Sequence, residues 1–302
     1  MRLCIRLRDL GMTGLMLILP ITALAASHPA FDAIYVFGDS YSDVGNVFLA
    51  SNGTIPSPAE GYYQGRFSNG PIWIDHLAGT YGVTITPSLA GGTDYAFGGA
   101  EVTQPVPVPG STQPIPSIPE QVATYLSQHN FKADPKALYI IVGGGNDILN
   151  ATGGSPDTLG GEIAYGVLSS IALLQHAGAR YFFVPRLFNI GLLPASQATG
   201  NSAFALAATQ SLNKDLDGGL FIESFLPNTH IYRSDTYSLL QAMLTDGGHY
   251  GFSDISHPCL NTAATPPTLC SSPYTNFFWD LDHPTIFGHA FLAVAAEQAI
   301  DH

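Results

Sequence analysis

Short apolar runs that alternate with longer helical patterns most strongly constrain how this chain can fold. Three runs, 33–37 ("AIYVF"), 137–142 ("ALYIIV") and 180–184 ("RYFFV"), are mostly apolar and are bounded by Gly or Pro. This is typical of strands that are covered on both faces. Between the second and third runs, residues 157–179 carry apolar side chains at helical spacing. Strand, helix and strand in this order predict right-handed crossovers and a parallel sheet with helices on both sides.

Further helices and one weaker strand are predicted from the same patterns. The helical stretches are 71–82, 118–129, 202–225 and 285–301, and the weaker strand is "HIYR" at 230–233. Two stretches rich in Pro, Gly, Ser and Thr, 101–117 and 246–276, are predicted to be irregular. These stretches either form the wall of a site or are surface insertions, and the sequence leaves both interpretations open.

The first 25 residues are predicted to be a secretory signal peptide. A positively charged start precedes the apolar run "GMTGLMLILPITALA", and small residues follow at Ala23 and Ala25. Residues 26–302 are then predicted to form one domain. After the signal no apolar run reaches the roughly 18 residues of a membrane span, so we expect a soluble, exported protein.

Two cysteines remain in the exported chain, Cys259 and Cys270. Because export implies an oxidising compartment, we predict a disulfide between them that closes a short loop. That loop contains no histidine at metal-ligand spacing.

The chain carries a formal charge of −13, although only 11% of its residues are charged. An acidic protein lacks the basic face that nucleic acids require, so nucleic-acid partners are not expected. The charge also gives no reason to adhere to anionic membranes. Oligomeric state is left open.

Candidate reactive groups follow the predicted strands, where ligands bind in open parallel sheets. Ser40 follows the first run in "GDSYSDVGN" and either presents a hydroxyl above the sheet or caps a helix that starts there. Asn146 follows the second run in "GGGNDIL", which is otherwise a turn with Asp147 capping the next helix. A third strand-like stretch, "DYAFGGAEV" (94–102), leads into the doublet Gly98-Gly99. The doublet either donates a hydrogen bond to an oxyanion or forms only a turn.

A serine nucleophile needs a base that a third group orients. The motif Asp-x-x-His-Pro, which contains a possible base and its orienting carboxylate, occurs twice, in "SDISHPC" (253–259) and in "FWDLDHPT" (278–285). The motif alone leaves open which copy is catalytic, although only the second copy leads into a predicted helix.

Five blocks in order, "VFGDSYSDVGN", "GRFSNGPIW", "DYAFGGA", "GGGND" and "WDLDHPT", resemble those of the GDSL esterases and lipases, also called SGNH hydrolases. The G-x-S-x-G elbow of ordinary α/β-hydrolases is absent. The resemblance implies an α/β fold, a three-layer α/β/α sandwich around a parallel sheet of flavodoxin-like type. It also implies a serine ester hydrolase that uses no metal or organic cofactor.

The resemblance assigns roles to single positions. Ser40 matches the nucleophile and first oxyanion donor, Gly99 the second donor with Gly98 as an alternative register, and Asn146 the third. Asp280 and His283 match the orienting carboxylate and the base.

Four further positions follow from the same comparison. Asp282 is expected to point elsewhere, and Asp254 with His257 to shape a loop turn. Asp94 stands where many family members have asparagine.

The substrate expected from the resemblance is a lipid carboxylic ester, especially a phospholipid or lysophospholipid, with acyl transfer as a further activity. A short-chain or carbohydrate acetylesterase is the enzymatic alternative, and a secreted binding protein that keeps the fold is the other. A further hypothesis makes the loop between Cys259 and Cys270 a lid.

Overall fold

The structure, a computed structural model, describes residues 29–108 and 113–302. The predicted signal peptide therefore lies outside the described residues. The strands are β1 (Ile34–Phe37), β2 (Leu138–Ile141), β3 (Tyr181–Phe183), β4 (His230–Tyr232), β5 (Leu260–Asn261) and β6 (Thr268–Leu269).

The α-helices include all five helical stretches that the sequence patterns predict, whereas the short helices at 194–198 and 236–243 were not predicted. The helices are α1 (Asn46–Ala50), α2 (Trp73–Thr80), α3 (Ile118–Gln128), α4 (Gly145–Leu149), α5 (Pro156–Ala177), α6 (Pro194–Ala198), α7 (Ser202–Glu223), α8 (Thr236–Met243) and α9 (Ile286–Asp301). Short 3₁₀ turns occupy Pro58–Glu60, Ser88–Ala90, Ile190–Leu192 and Gly247–Tyr250.

The central sheet has the order β1-β2-β3-β4, and every neighbouring pair is parallel. All four side chains of β2 are buried, because helices cover both faces of the strand as its apolar run predicted. The expected α/β fold with a parallel central sheet is confirmed. The strand predicted at 94–102 is wrong as a regular element: residue 94 forms isolated bridges to Val36, at the edge of β1, and to Pro87.

Aromatic contacts show which helices cover which face. Neighbouring residues of a strand point to opposite faces. Phe182 packs on Tyr139, which contacts Tyr125 of α3, whereas Phe183 contacts Trp73 of α2. Since α3, α5 and α7 pack together and α2 packs on α9, the two groups of helices lie on opposite faces.

The long irregular stretches have little regular structure. Residues 246–276 contain the two-residue strands β5 and β6, which pair antiparallel, and a disulfide joins Cys259 to Cys270 as predicted. Among the described residues, none of the helices is both long and apolar enough to cross a membrane.

The packing of α5 makes a matched stability test possible. Leu174 is fully buried and Leu173, its neighbour, is 49% exposed. We expect Leu174→Ala to lower the free energy of unfolding by about 2–5 kcal/mol, because a buried cavity is left behind. Leu173→Ala should change it by no more than about 0.5 kcal/mol. Urea unfolding followed by circular dichroism measures both, and equal losses would contradict the burial of α5 described here.

Candidate active site

Ser40 lies in a tight turn directly after β1. The Asp39 carbonyl accepts hydrogen bonds from the backbone N–H groups of Ser42 and Asp43, and α1 does not begin until Asn46. The expectation that a helix starts at Ser40 is therefore wrong, and Ser40 is not a helix cap. Its own backbone N–H has no partner among the described residues, so it is available to a ligand.

The chain before Ser40 is held by Gln121 of α3. The side chain of Gln121 accepts a hydrogen bond from Gly38 N (2.9 Å) and donates one to Gly38 O (2.9 Å). A Cβ atom at Gly38 would lie 2.8 Å from the carbonyl oxygen of Val142, so only glycine fits between β1 and β2 here. These contacts fix the backbone that presents Ser40.

His283 connects Ser40 to Asp280. Its Nε2 lies 2.7 Å from Ser40 Oγ, and its Nδ1 lies 2.8 Å from both carboxylate oxygens of Asp280. Because a carboxylate only accepts hydrogen bonds, Nδ1 carries the hydrogen in the neutral ring and Nε2 is the free acceptor. The three predicted side chains are thus brought together across the sequence.

Asp280 is held in place by further donors. Its Oδ1 accepts the backbone N–H groups of residues 282 (2.9 Å) and 283 (2.7 Å), and its Oδ2 accepts the Tyr62 hydroxyl (2.7 Å). Burial by itself would raise the pKa of Asp280, but the charge of His283 and these hydrogen bonds outweigh it and lower the pKa. The carboxylate therefore stays ionised.

Nearby carboxylates also set the basicity of His283. Burial alone would lower the pKa of the imidazole, but the Asp280 carboxylate outweighs it, with Asp282 and Asp39 adding negative charge, so the pKa is raised. Burial in turn raises the pKa of Asp39 to about 6.

Asp282 was expected to point away from the site, but it lines the same cavity as Ser40 and His283. Its carbonyl accepts the Tyr41 hydroxyl (2.6 Å), while its buried Oδ1 has no hydrogen-bond partner among the residues that the structure describes. The position of Asp282 next to His283 in the chain gave no sign of this contact with Tyr41.

Ser40, Gly99 and Asn146 all line this cavity, although they follow different parts of the sheet. Gly98 N–H donates to Asp43 Oδ2 (2.9 Å), whereas Gly99 adopts a left-handed backbone conformation at φ +81°. The geometry therefore favours Gly99 over Gly98 as the donor to a ligand. Asn146 Nδ2 donates one hydrogen bond to Ala100 O (2.9 Å). Its second N–H is therefore available to donate a hydrogen bond to a ligand.

The first Asp-x-x-His copy lies apart from this cavity. His257 Nδ1 is 3.1 Å from Asp254 Oδ2, but the His257 side chain is 78% exposed and neither residue lines the cavity. The same Asp-x-x-His sequence thus forms the same aspartate–histidine contact in both places. Only the pair at 280 and 283 meets Ser40, whereas His257 contacts the exposed Ser256 through its Nδ1 (3.1 Å).

Asp147 and Asp43 have structural roles that sequence patterns did not reveal. Asp147 lies inside α4 rather than at its cap, and it accepts the backbone N–H groups of Val102 and Thr103. Asp43 accepts the N–H groups of residues 45, 46, 47 and 98. The polar residues of the first and fourth blocks were the only signal in the sequence for these contacts.

The cavity beside Ser40 has a volume of about 240 Å³. Its wall is mainly apolar, and the side chains that form the apolar part include Val142, Leu149, Phe183, Phe188, Leu193 and Leu292. None of the described residues of 101–117 or 246–276 lines it, so the described parts of these two stretches do not wall the site. The lid hypothesis for the disulfide loop stays a prediction.

Comparison with known proteins places the chain in a family. The profile described as GDSL-like Lipase/Acylhydrolase matches residues 34–296. This chain belongs to that family. The resemblance seen in the five sequence blocks is thereby confirmed.

Similar proteins include two bacterial enzymes and a hemolysin. The thermolabile hemolysin of Vibrio parahaemolyticus is 26% identical over 89% of this chain and 64% of its own length. Lipase 1 of Photorhabdus luminescens is 32% identical over 67% of this chain and 28% of its own length. The phosphatidylcholine-sterol acyltransferase of Aeromonas hydrophila is 25% identical over 92% of both chains.

Two solved structures are also similar. A lipolytic G-D-S-L family protein of Veillonella parvula is 14% identical over 88% of this chain and 96% of its own, with a TM-score of 0.48. The acetylxylan esterase Axe2 of Geobacillus stearothermophilus is 15% identical over 91% and 96%, with a TM-score of 0.46.

The charges around His283 give a prediction for its titration. We expect NMR of the imidazole to show a pKa above the ordinary value of about 6.5. Asp282→Asn should lower this pKa, because it removes a negative charge that favours the protonated ring. The neutral, proton-accepting form would then persist to lower pH. Asp254→Asn is the control and should leave the pKa unchanged; an unchanged pKa in Asp282→Asn would contradict the placement of Asp282.

Proposed function

We propose that the protein is a serine ester hydrolase that acts on lipid carboxylic esters, with Ser40 as nucleophile, His283 as base and Asp280 as the orienting group. The observation that carries the proposal is the continuous contact from Ser40 Oγ to His283 Nε2 (2.7 Å) and from His283 Nδ1 to Asp280 (2.8 Å). A serine becomes nucleophilic only when such a base can take its proton.

In the first step His283 takes the proton of Ser40 as Oγ attacks the ester carbonyl. The carbonyl oxygen becomes an oxyanion, which accepts hydrogen bonds from the N–H groups of Ser40 and Gly99 and from Asn146 Nδ2. His283 then gives its proton to the leaving alcohol. Water releases the acyl group from Ser40 by the same steps in reverse, and another alcohol in place of water gives acyl transfer.

An apolar acyl group is the substrate part that this cavity suits. The wall next to Ser40 is formed mainly by aliphatic and aromatic side chains, which stabilise methylene groups by removing them from water. An acetyl group would leave most of the 240 Å³ unfilled. This supports lipid esters, including phospholipids and lysophospholipids, over the acetylesterase alternative.

We also propose that the protein is exported. The signal-like segment at 1–25 and the disulfide between Cys259 and Cys270 support this, because disulfides persist in oxidising compartments.

Ser40→Ala tests the nucleophile. Without the hydroxyl no acyl-enzyme forms, so kcat/KM for a p-nitrophenyl ester should fall by about 10³-fold or more. Ser42→Ala is a matched control, because the Ser42 hydroxyl is buried close by without a partner among the described residues, and this variant should stay active. Undiminished activity in Ser40→Ala would remove the assignment. A wild-type protein that neither cleaves esters nor reacts with a fluorophosphonate would instead favour a binding protein.

A series of esters tests the substrate class. We expect wild-type protein to cleave p-nitrophenyl esters with acyl chains longer than acetyl faster than the acetate, because added methylenes bind the apolar wall. It should also release fatty acid from a lysophospholipid, measured by titration of the acid with Ser40→Ala as control. Activity confined to the acetate would decide for the acetylesterase alternative.

A further inference from the structure

The catalytic cavity and a second groove share two wall residues, Arg186 and Ser234. The second groove opens on the surface between α7 and β4, and Leu220, Phe221 and Ile231 form its apolar part. Phe221 is 65% exposed. Ser234 is 6% exposed, and its hydroxyl has no partner among the described residues. Arg186 is therefore the larger of the two described residues that line both spaces.

Arg186 is held rigidly in this position. Its Nη2 lies 2.7 Å from Asp217 Oδ2 and its Nε 3.3 Å from Asp217 Oδ1, while its Nη1 lies 3.3 Å from Asp235. Arg233 also binds Asp217, and the Thr236 hydroxyl donates to the Arg186 carbonyl. A guanidinium fixed by two carboxylates forms a firm wall rather than a mobile side chain.

The order of the strands sets the distance from Ser40 to this wall. Ser40 follows β1 and Arg186 follows β3, and β2 lies between them. Since neighbouring strands are about 4.8 Å apart, the cavity extends roughly 10 Å along the sheet edge before it meets Arg186. An extended chain of carbon–carbon bonds of about 1.5 Å covers that distance with roughly eight bonds, because the bonds zigzag. A longer chain would be stopped by the bulk of the Arg186 side chain, because, among the described residues, the cavity and the groove share no lining residues other than Arg186 and Ser234.

We propose that Arg186 closes the acyl-chain site and sets the upper length of the acyl chain that the enzyme accepts. The proposal rests on the proposed function and narrows its substrate to lipid esters with acyl chains of medium length. If the arginine were shortened, the catalytic cavity would open into the groove beside Phe221, and longer chains would continue there.

The experiment compares p-nitrophenyl octanoate with p-nitrophenyl palmitate. Wild-type protein should strongly prefer octanoate. Arg186→Ala should raise the palmitate-to-octanoate ratio of kcat/KM about tenfold or more, as expected from burying a few further methylenes. Arg186→Met is the matched control: it breaks the same ion pairs but keeps a long side chain in the wall, so the ratio should stay near the wild-type value.

A second substitution identifies the groove. Phe221→Ala should not change the ratio in the wild-type background, because Phe221 lines only the outer groove. In the Arg186→Ala background it should reduce the gain for palmitate, since the longer chain then contacts Phe221. Thermal unfolding of each variant verifies that it is folded.

The outcomes separate the two proposals. Cleavage of octanoate with an unchanged ratio in Arg186→Ala, or an equal rise in Arg186→Met, would overturn the role of Arg186 alone. Wild-type protein that cleaves palmitate as fast as octanoate would also overturn it, without need of any variant. Wild-type protein that cleaves no ester would overturn the proposed function and this inference with it.

Discussion

The buried carboxylate of Asp43 joins the two segments that the active site requires. It accepts backbone N–H groups at the start of α1 and also the N–H of Gly98, far along the chain. Burial raises the pKa of Asp43, and the four backbone donors oppose that shift. The carboxylate is stabilised here only because every one of these donors points at it. The turn that presents Ser40 and the glycines beside it are thereby fixed relative to each other.

Asp94 extends this network to the edge of the sheet. It accepts the N–H groups of Val44 and Ala96, and Asn46 donates to the carbonyls of residues 94 and 96. Burial and the neighbouring Asp43 raise the pKa of Asp94 well above its usual range. The segment around Asp94 is thus tied to the start of α1 by side chains, while backbone hydrogen bonds at Val36 and Gly38 hold it beside β1.

The parallel sheet turns these local contacts into one site. Its strands end at the same edge, so Ser40, Asn146 and Arg186 are neighbours although they lie far apart in the chain. The last segment then brings His283 over the serine, while α9 starts directly after it. Water-excluding walls around this edge strengthen each electrostatic contact inside, because the local dielectric is lower than that of water. The same edge can therefore supply both the acyl-transfer groups and the apolar space for an acyl chain.

The sequence by itself determined the main strands, the longer helices and the Asp-x-x-His pair, because each depends on neighbours within a few residues. Continuous apolar runs indicate buried strands such as β2. Asp280 and His283 lie close together because the Asp-x-x-His sequence forms a turn. The start of α1 differs from the prediction because the Asp43 carboxylate accepts backbone N–H groups. In a helix beginning at Ser40 these N–H groups would bond to backbone carbonyls instead.

Only the tertiary structure decided which glycine lines the cavity, that Asp282 also lines it, and that Tyr62 and Gln121 hold the reacting segments. Tyr62 contacts Asp280 across 218 positions and Gln121 contacts Gly38 across 83. No local pattern encodes such contacts, since they form when separate parts of the chain pack together.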